Sequence, residues 1–170
     1  KWGPTKFLLA PNRYHNAGIA EWMHAYRDAR VVAHPKAHAR LVKQVRGLSR
    51  VDDLTELAGK LPEGARILEP PQARQGEVWM AVERGDLRAL AVCDAITNLE
   101  EVSFGFWLLG FRAKLMHNPL FYRLFVSDRT AHKAWLAAEV RAHSPNLFIP
   151  AHGAVLRGVS VASSLSALAG

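Results

Sequence analysis

The sequence predicts an α/β fold in which strands and helices alternate along the chain, with one β-hairpin near the middle. Short apolar runs bounded by Pro, Gly or Asn are separated by segments with the period of amphipathic helices. In addition, the dipeptide Gly85-Asp86 lies between two apolar runs, which is typical of a hairpin. Alternation of this kind is characteristic of layered α/β proteins.

The first half of the chain predicts two strands, each followed by a helix, and a further short helix. These elements are a strand at 6–10, a helix at 17–28, a strand at 30–33, a basic helix at 36–46 and an acidic helix at 52–59. The first strand ends at Pro11-Asn12 and the second at His34-Pro35, because proline cannot donate to a strand ladder.

The second half predicts the hairpin, two longer helical segments and a last strand. The elements are a strand at 66–68, hairpin strands at 77–82 and 87–92, a helical segment at 104–116, a helix at 128–143 and a strand at 147–149. Ser127 or Asp128 is placed to cap the helix. The tail beyond Val159 is compatible with a short helix or a frayed end. Because no repeat or low-complexity linker divides the chain, we expect one domain over residues 1–170.

The net charge of +7 raises the question of a nucleic-acid partner. The densest basic stretch has side chains spaced to lie on one side of a helix, namely Lys36, Arg40, Lys43, Arg46 and Arg50. A solvated helix face has the same pattern, and no nucleic-acid-binding motif accompanies it. No apolar run is long enough to span a bilayer, and the single cysteine, Cys93, continues a strand and is expected to be buried. We therefore expect a cytoplasmic protein without a membrane partner.

Three polar side chains follow predicted strands and are candidate metal ligands. His15 lies in the loop after the first strand, Asp94 directly follows the strand that ends at Cys93, and His152 follows the last strand. Functional side chains of α/β proteins gather beyond the carboxyl ends of strands. Imidazole and carboxylate groups meeting there are suitable ligands for zinc or iron.

Each candidate also has a structural interpretation. His15 is equally suited to hydrogen bonding within the loop that enters the helix, and Asp94 to capping a turn. His152 precedes Gly153, which suggests a loop histidine beside a glycine with an unusual backbone angle. The other histidines are expected to be structural or exposed, with His117 ending an apolar helix and two on a surface helix, His132 and His143.

Three segments resemble the metallo-β-lactamase-like proteins, in the order in which that family has them. Residues 9–16, with Pro11-Asn12 and His15, resemble the family's first metal-binding loop, in the form of an uncharacterised bacterial branch with a Pro-Asn-x-x-His pattern. Val92-Cys93-Asp94 resembles the strand ending in the metal-bridging aspartate, and residues 149–153 resemble the late His-Gly ligand loop. The resemblance implies an αβ/βα sandwich of the metallo-β-lactamase type. The chain would represent its C-terminal two-thirds, with the N-terminal strands missing or reduced.

The sequence departs from the family pattern around the metal. Only His15 is present where the family's loop has several ligands, with Asn12 and Asn16 near the positions of further ligands or the general base. No histidine stands at 72–76, where the family's next ligand is expected. The resemblance therefore implies at most one zinc or iron ion, on His15, Asp94 and His152, and is compatible with none.

These features leave three functions open. The first is a mononuclear metal-dependent hydrolase of ester, amide or thioester bonds, with no catalytic side chain assigned. The second is a degenerate, non-catalytic member that binds a small molecule or a partner, and the third and least favoured is a nucleic-acid-binding module. Seven aromatic side chains are candidates for lining an apolar pocket or for core packing: Phe104, Phe106, Trp107, Phe111, Phe121, Tyr122 and Phe125. An uncovered sheet edge would also favour a homo-oligomer.

Overall fold

The computed structural model of the chain describes residues 3–170 and divides into two compact units. Unit 1 comprises Lys1–Leu61 and Gln75–Val78, and unit 2 comprises Pro62–Arg74 and Trp79–Gly170. Residues 1 and 2, which begin the domain predicted over 1–170, lie outside the described residues. That single domain stays a prediction.

Unit 1 is built on a small parallel sheet. Its elements in the described residues are β1 (Phe7–Ala10), α1 (Ile19–Ala25), β2 (Arg30–Ala33), α2 (Pro35–Gln44), β3 (Asp52–Asp53) and one 3-10 turn (Leu54–Leu57). The strand order is β1-β2-β3 and both pairings are parallel. A helix lies between successive strands, as a parallel pairing requires.

Local sequence signals define the ends of α2 and its buried face. Pro35 occupies the first turn, where its missing N–H costs nothing. The Nδ1 atom of His34 accepts a hydrogen bond from the Lys36 backbone N–H at 3.1 Å and so caps the helix. Ala37 and Leu41 are fully buried on one face of α2. They join the core of unit 1, which consists of Ala10, Ile19, Val31, Ala33, Ala37, Leu41, Val45, Leu48 and Val51.

Unit 2 contains a five-stranded mixed sheet and a separate two-stranded sheet. Its strands are β4 (Ala65–Leu68), β5 (Trp79–Arg84), β6 (Leu87–Val92), β7 (Ile96–Asn98), β8 (Leu115–His117), β9 (Leu147–Pro150) and β10 (Leu156–Arg157). Its helices are α3 (Phe104–Leu108), α4 (Pro119–Leu124), α5 (Arg129–His143) and α6 (Val161–Ala169). The larger sheet has the order β10-β9-β6-β5-β4, and β7 pairs with β8. Among the helices of residues 3–170, none has the length and apolar composition needed to cross a membrane.

The core of unit 2 joins its larger sheet to α5 and α6. Trp79 and Phe148 from the sheet, Leu136 from α5 and Leu165 from α6 are each no more than 1% exposed and belong to one apolar cluster. Burying a large apolar side chain of this kind stabilises a fold by about 1.5–3 kcal/mol. The unit is therefore held mainly by helix-on-sheet packing.

Several predicted elements are confirmed. Strands β1, β2 and β9 and the β5–β6 hairpin lie where the apolar runs predict them, although β5 begins at Trp79, so that Glu77 precedes the strand. Helix α5 begins at Arg129, because the Oδ1 atom of Asp128 accepts a hydrogen bond from the Ala131 N–H at 2.9 Å. The Ser- and Ala-rich tail forms α6.

Two predicted helices are wrong. In the segment 104–116 the helix α3 ends at Leu108, and Gly110 takes a left-handed backbone angle (φ 99°) that turns the chain towards β8. The acidic helix at 52–59 is also wrong. Asp52 and Asp53 pair with β2, and Asp53 then caps a single 3-10 turn.

The prediction that the five basic side chains between Lys36 and Arg50 share one face of a helix is also wrong. Helix α2 ends at Gln44, so Arg46 and Arg50 lie beyond it. Arg50 is paired with Asp52, with 2.7 Å between Nε and Oδ1. The guanidinium of Arg40 lies 4.6 Å from the centre of the Tyr14 ring. Arg40 and Arg50 therefore have separate local partners.

Three histidines also differ from their predicted settings. His132 and His143 lie on α5 but are 0% and 2% exposed, not on its surface. The ring of His143 ties α5 to the sheet, with Nε2 2.9 Å from the carbonyl oxygen of Ala89 and Nδ1 2.9 Å from the carboxylate of Glu83. His117 ends strand β8 and not a helix.

Candidate metal centre and adjoining pocket

Two of the predicted ligands meet because β6 and β9 are parallel neighbours. In the register of the pair, Val92 lies opposite Pro150. Asp94 and His152 each follow two residues later, so both leave the sheet at the same edge. The backbone continues the pairing, since the Ala151 N–H donates to the Val92 carbonyl at 2.9 Å. Strand register alone thus brings these two side chains together.

The Asp94 and His152 side chains are in direct contact. The Nε2 atom of His152 lies 2.9 Å from Oδ1 of Asp94, a hydrogen-bonding distance. The Asp94 side chain is 18% exposed and that of His152 is 45% exposed. The pair is therefore open to solvent, and a small ion or ligand can reach it.

A backbone clamp holds the loop that carries His152. The Asn98 N–H donates to the His152 carbonyl at 3.1 Å, and the Ala154 N–H donates to the Asn98 carbonyl at 2.7 Å. The Asn98 side-chain amide also donates to the Ala154 carbonyl at 2.8 Å. Gly153 has φ 102°, and a Cβ there would overlap the Asn98 carbonyl oxygen. The prediction that a glycine is required after His152 is confirmed. The sequence does not predict that Asn98 is the residue whose carbonyl lies against Gly153.

His15 belongs to unit 1, in the loop between β1 and α1. The Oδ1 atom of the buried Asn12 accepts hydrogen bonds from the Tyr14 N–H at 2.7 Å and from the His15 N–H at 3.1 Å. Asn12 therefore shapes the loop through its side chain. The His15 side chain is partly buried, and its part in a metal site stays a prediction.

The Asp94 and His152 pair has the chemistry that a zinc or iron ion requires. Both metals take imidazole nitrogen and carboxylate oxygen as ligands. Tetrahedral zinc separates two such ligand atoms by about 3.3 Å. The observed 2.9 Å would have to widen by only a few tenths of an ångström. The two side chains thus fit one ion, and the same geometry also suits a direct hydrogen bond between them.

An apolar pocket of about 370 Å³ adjoins His152 in unit 2. Its apolar lining consists of Leu99, Val102, Phe106, Phe111 and Leu120. Its polar lining consists of Thr97, Glu101, Ser103, Asn118 and His152. The volume lies within the range of small-molecule sites, roughly 300–1,000 Å³. His152 is thus shared between the candidate ligand pair and the pocket wall.

The predicted set of aromatic residues divides between pocket, core and surface. Phe106 and Phe111 line the pocket, whereas Phe121 and Tyr122 are buried in the core of unit 2. Phe104 is 74% exposed. Cys93 is buried, as expected.

Sequence reasoning missed Thr97 and Asn98, which lie on the short strand β7. All three residues of β7 are buried, a signal too short to separate from a loop by periodicity.

Comparison with known proteins identifies the fold. No protein-family model matches the chain, and no curated protein is significantly similar to it. Among solved structures, rubredoxin oxygen:oxidoreductase from the anaerobe Desulfovibrio gigas matches with TM-score 0.63 and 10% identity, over 96% of this chain and 43% of that chain. The DIM-1 metallo-β-lactamase exposed to ceftazidime matches with TM-score 0.55 and 10% identity, over 95% and 65%. VMB-1 at pH 5.5 matches with TM-score 0.56 and 12% identity, over 96% and 67%.

The chain therefore has the metallo-β-lactamase-type α/β fold that the sequence resemblance implied. It spans about two thirds of the length of VMB-1 and DIM-1 and less than half of the oxidoreductase. At this identity the likeness concerns the fold alone. Membership of the bacterial branch, the activity and the ligands of this chain stay predictions.

Proposed function

We propose that the protein is a metallo-β-lactamase-like, mononuclear metal-dependent hydrolase of ester, amide or thioester bonds. The observation that carries this proposal is the Asp94–His152 pair, which couples a carboxylate and an imidazole at one edge of the sheet. The adjoining pocket supplies a place for a substrate next to His152. Fold likeness to a metallo-β-lactamase agrees with this reading.

In this proposal Asp94 and His152 hold one zinc or iron ion, with His15 as the third protein ligand. A catalytic zinc usually has three protein ligands and one open position, which matches this set. When bound, the ion supplies a Lewis acid and a source of hydroxide at neutral pH. Two ions are disfavoured, because residues 72–76 have no histidine.

The surrounding residues would act by orientation and by excluding water. Asn98 fixes the loop of His152 through backbone and side-chain hydrogen bonds, and so limits the positions that its imidazole can take. The apolar wall beside His152 would bind the uncharged part of a substrate and exclude water from it. No side chain is assigned as general acid or base.

Metal content tests the proposal. Purified protein is analysed by inductively coupled plasma mass spectrometry, and hydrolysis of 4-nitrophenyl acetate is measured on the same samples. We expect close to one zinc or iron per chain, falling well below one in His152→Ala, Asp94→Asn and His15→Ala, with hydrolysis lost in parallel. The control His24→Ala changes a histidine that is exposed on α1 and is expected to retain metal and activity.

The opposite result favours a non-catalytic protein. If the wild type contains well below one metal ion and His152→Ala leaves that content unchanged, the hydrolase proposal fails. The pocket beside His152 then supports the second candidate, a degenerate member that binds a small molecule. Retention of metal by His15→Ala alone would contradict only the third ligand.

A further inference from the structure

Helix α3 consists only of apolar residues and glycine, and none of its residues is buried. The large apolar residues of α3 and the leucine that follows it are between 42% and 74% exposed, namely Phe104, Phe106, Trp107, Leu108 and Leu109. We call these five residues the α3 patch. A helix that is apolar all round is normally covered by other protein, and a large exposed apolar patch marks a surface where a partner binds.

The α3 patch is fixed to unit 2 and presents a defined shape. The rings of Phe104 and Trp107 are stacked, with 6.0 Å between their centres. The ring of Phe106 packs edge-on against the buried Phe111, with 5.2 Å between the centres. A surface that is already ordered loses little conformational freedom when a partner binds it.

The area of the α3 patch suits a protein partner. A fully exposed residue of this size has about 200 Å² of surface, so the five residues together expose roughly 500–600 Å². A stable interface buries about 800 Å² on each partner and has an apolar centre with a polar rim. The α3 patch would therefore form most of one side of such an interface, with nearby charged residues as its rim.

Opposite charges flank the two ends of the α3 patch. Glu100 and Glu101 precede the helix and are exposed. At the other end, Arg112 and Arg123 each donate a hydrogen bond from Nη1 to a backbone carbonyl of the patch, at 3.0 and 3.4 Å. Within residues 3–170, none of these four side chains forms an ion pair. The patch thus has one acidic and one basic end, and both charges are available to a partner.

This distribution of charge fits a second copy of the same chain. In a two-fold dimer the same surface of each copy meets the other. Two antiparallel α3 patches would place the acidic end of each against the basic end of the other, with the apolar residues between them. An anionic lipid surface fits less well, because Glu100 and Glu101 would face its negative charge.

We propose that the α3 patch is the interface of a two-fold homodimer, in which the acidic end of one protomer pairs with the basic end of its partner. Phe106 belongs both to this patch and to the lining of the pocket beside His152. The partner would therefore lie next to that pocket. The inference goes beyond the proposed hydrolase and requires no bound metal.

The first experiment removes the apolar centre of the interface. The oligomeric state of chelator-treated protein is measured by sedimentation velocity over a range of concentrations. The apolar variant combines Phe104→Gln and Leu108→Gln, the two most exposed residues of the patch. The matched control is Val159→Gln, since Val159 is 99% exposed and lies outside the patch. We expect the wild type and the control to form a dimer, and the apolar variant to dimerise at least about 10-fold more weakly.

The second experiment exchanges the charges at the two ends. The basic variant combines Glu100→Lys and Glu101→Lys, and the acidic variant combines Arg112→Glu and Arg123→Glu. Each variant alone would bring like charges together in its own dimer and should be largely monomeric. In an equal mixture, opposite charges meet again at both ends, so a dimer with one copy of each variant should form.

A monomeric wild type would overturn the proposal, and its co-sedimentation with vesicles of phosphatidylcholine and phosphatidylserine would then point to a lipid surface instead. Variants that fold but form no mixed dimer would also overturn it. If circular dichroism shows that the acidic variant does not fold, the apolar variant decides, and a dimer as tight as that of the wild type would count against the proposal. Metal content and hydrolysis are not measured here, so failure of the dimer leaves the metal proposal untouched, and the reverse.

Discussion

His132 should make the stability of the protein depend on pH. Its ring is fully buried in unit 2, and its Nδ1 atom lies 2.7 Å from the hydroxyl oxygen of Tyr122. Burial lowers the pKa of His132 from 6.5 to about 4, and the nearby His117 adds to the shift. The folded protein thus keeps this histidine neutral at pH values where the unfolded chain protonates it.

The sign and the size of the effect follow from proton linkage. Above pH 6.5 the ring is neutral in both states. Between pH 6.5 and pH 4 the unfolded chain binds a proton that the folded protein does not, so the free energy of unfolding decreases as the pH falls. With these two pKa values, lowering the pH from about 7.5 to about 5 should remove about 2 kcal/mol. His117, whose pKa is also lowered by burial, adds a loss of the same sign.

The assay is urea unfolding followed by circular dichroism at both pH values. His132→Gln removes the titrating ring, so the loss between the two pH values should be smaller in this variant than in the wild type by about 2 kcal/mol. The control His24→Gln changes an exposed ring and should match the wild type. Equal pH dependence in the wild type and His132→Gln would show that His132 is not the group responsible for the loss of stability.

Three further substitutions should each lower the free energy of unfolding, which is measured by urea unfolding at neutral pH. Gly153→Ala should lower the free energy of unfolding by well over 1 kcal/mol, and by more than Gly158→Ala. Both glycines have positive φ, but only at Gly153 would a Cβ meet a backbone oxygen. Equal losses in the two variants would contradict this. Asp128→Ala should cost about 1 kcal/mol through the lost helix cap, and an unchanged midpoint would exclude that role. Leu136→Ala should cost about 2–5 kcal/mol, as the side chain is 0% exposed, and a loss below that range would show that the core closes around the deletion.

The sequence predicts those parts of the fold in which local signals and tertiary contacts agree. The β5–β6 hairpin has its turn at Gly85-Asp86, and α5 has its cap at Asp128. In the segment 104–116 the local signals and the tertiary contacts disagree. Its apolar residues have helical spacing, but Gly110 has a left-handed backbone angle, and Leu115–His117 pairs with β7 as a strand. Short elements held by tertiary pairing have too few residues to show a period.

The spacing of the buried residues along α5 is a sequence signal for the burial of its two histidines. The buried residues of that helix are His132, Leu136, Val140 and His143, whose spacings of 4, 4 and 3 follow one helix face. The polarity of histidine, taken alone, predicts that both side chains lie on the surface of the helix. Their positions in the same stripe as Leu136 and Val140 predict burial, with Tyr122 and Glu83 as their polar partners.

Part of the candidate site can be predicted from the order of the strands. Asp94 and His152 each follow a strand, and the parallel register of β6 and β9 brings them together. The pocket was less accessible to sequence reasoning, because Thr97, Leu99 and Phe111 come from a short strand and loops whose arrangement depends on tertiary packing.

The metal centre is tested most directly by the anomalous scattering of a zinc-soaked crystal, recorded at the zinc absorption edge. We predict one anomalous peak within about 2.0–2.2 Å of both Oδ1 of Asp94 and Nε2 of His152. No peak at this pair, with the two side chains still in direct contact at 2.9 Å, would contradict the metal centre and leave Asp94 and His152 as a hydrogen-bonded pair beside the pocket.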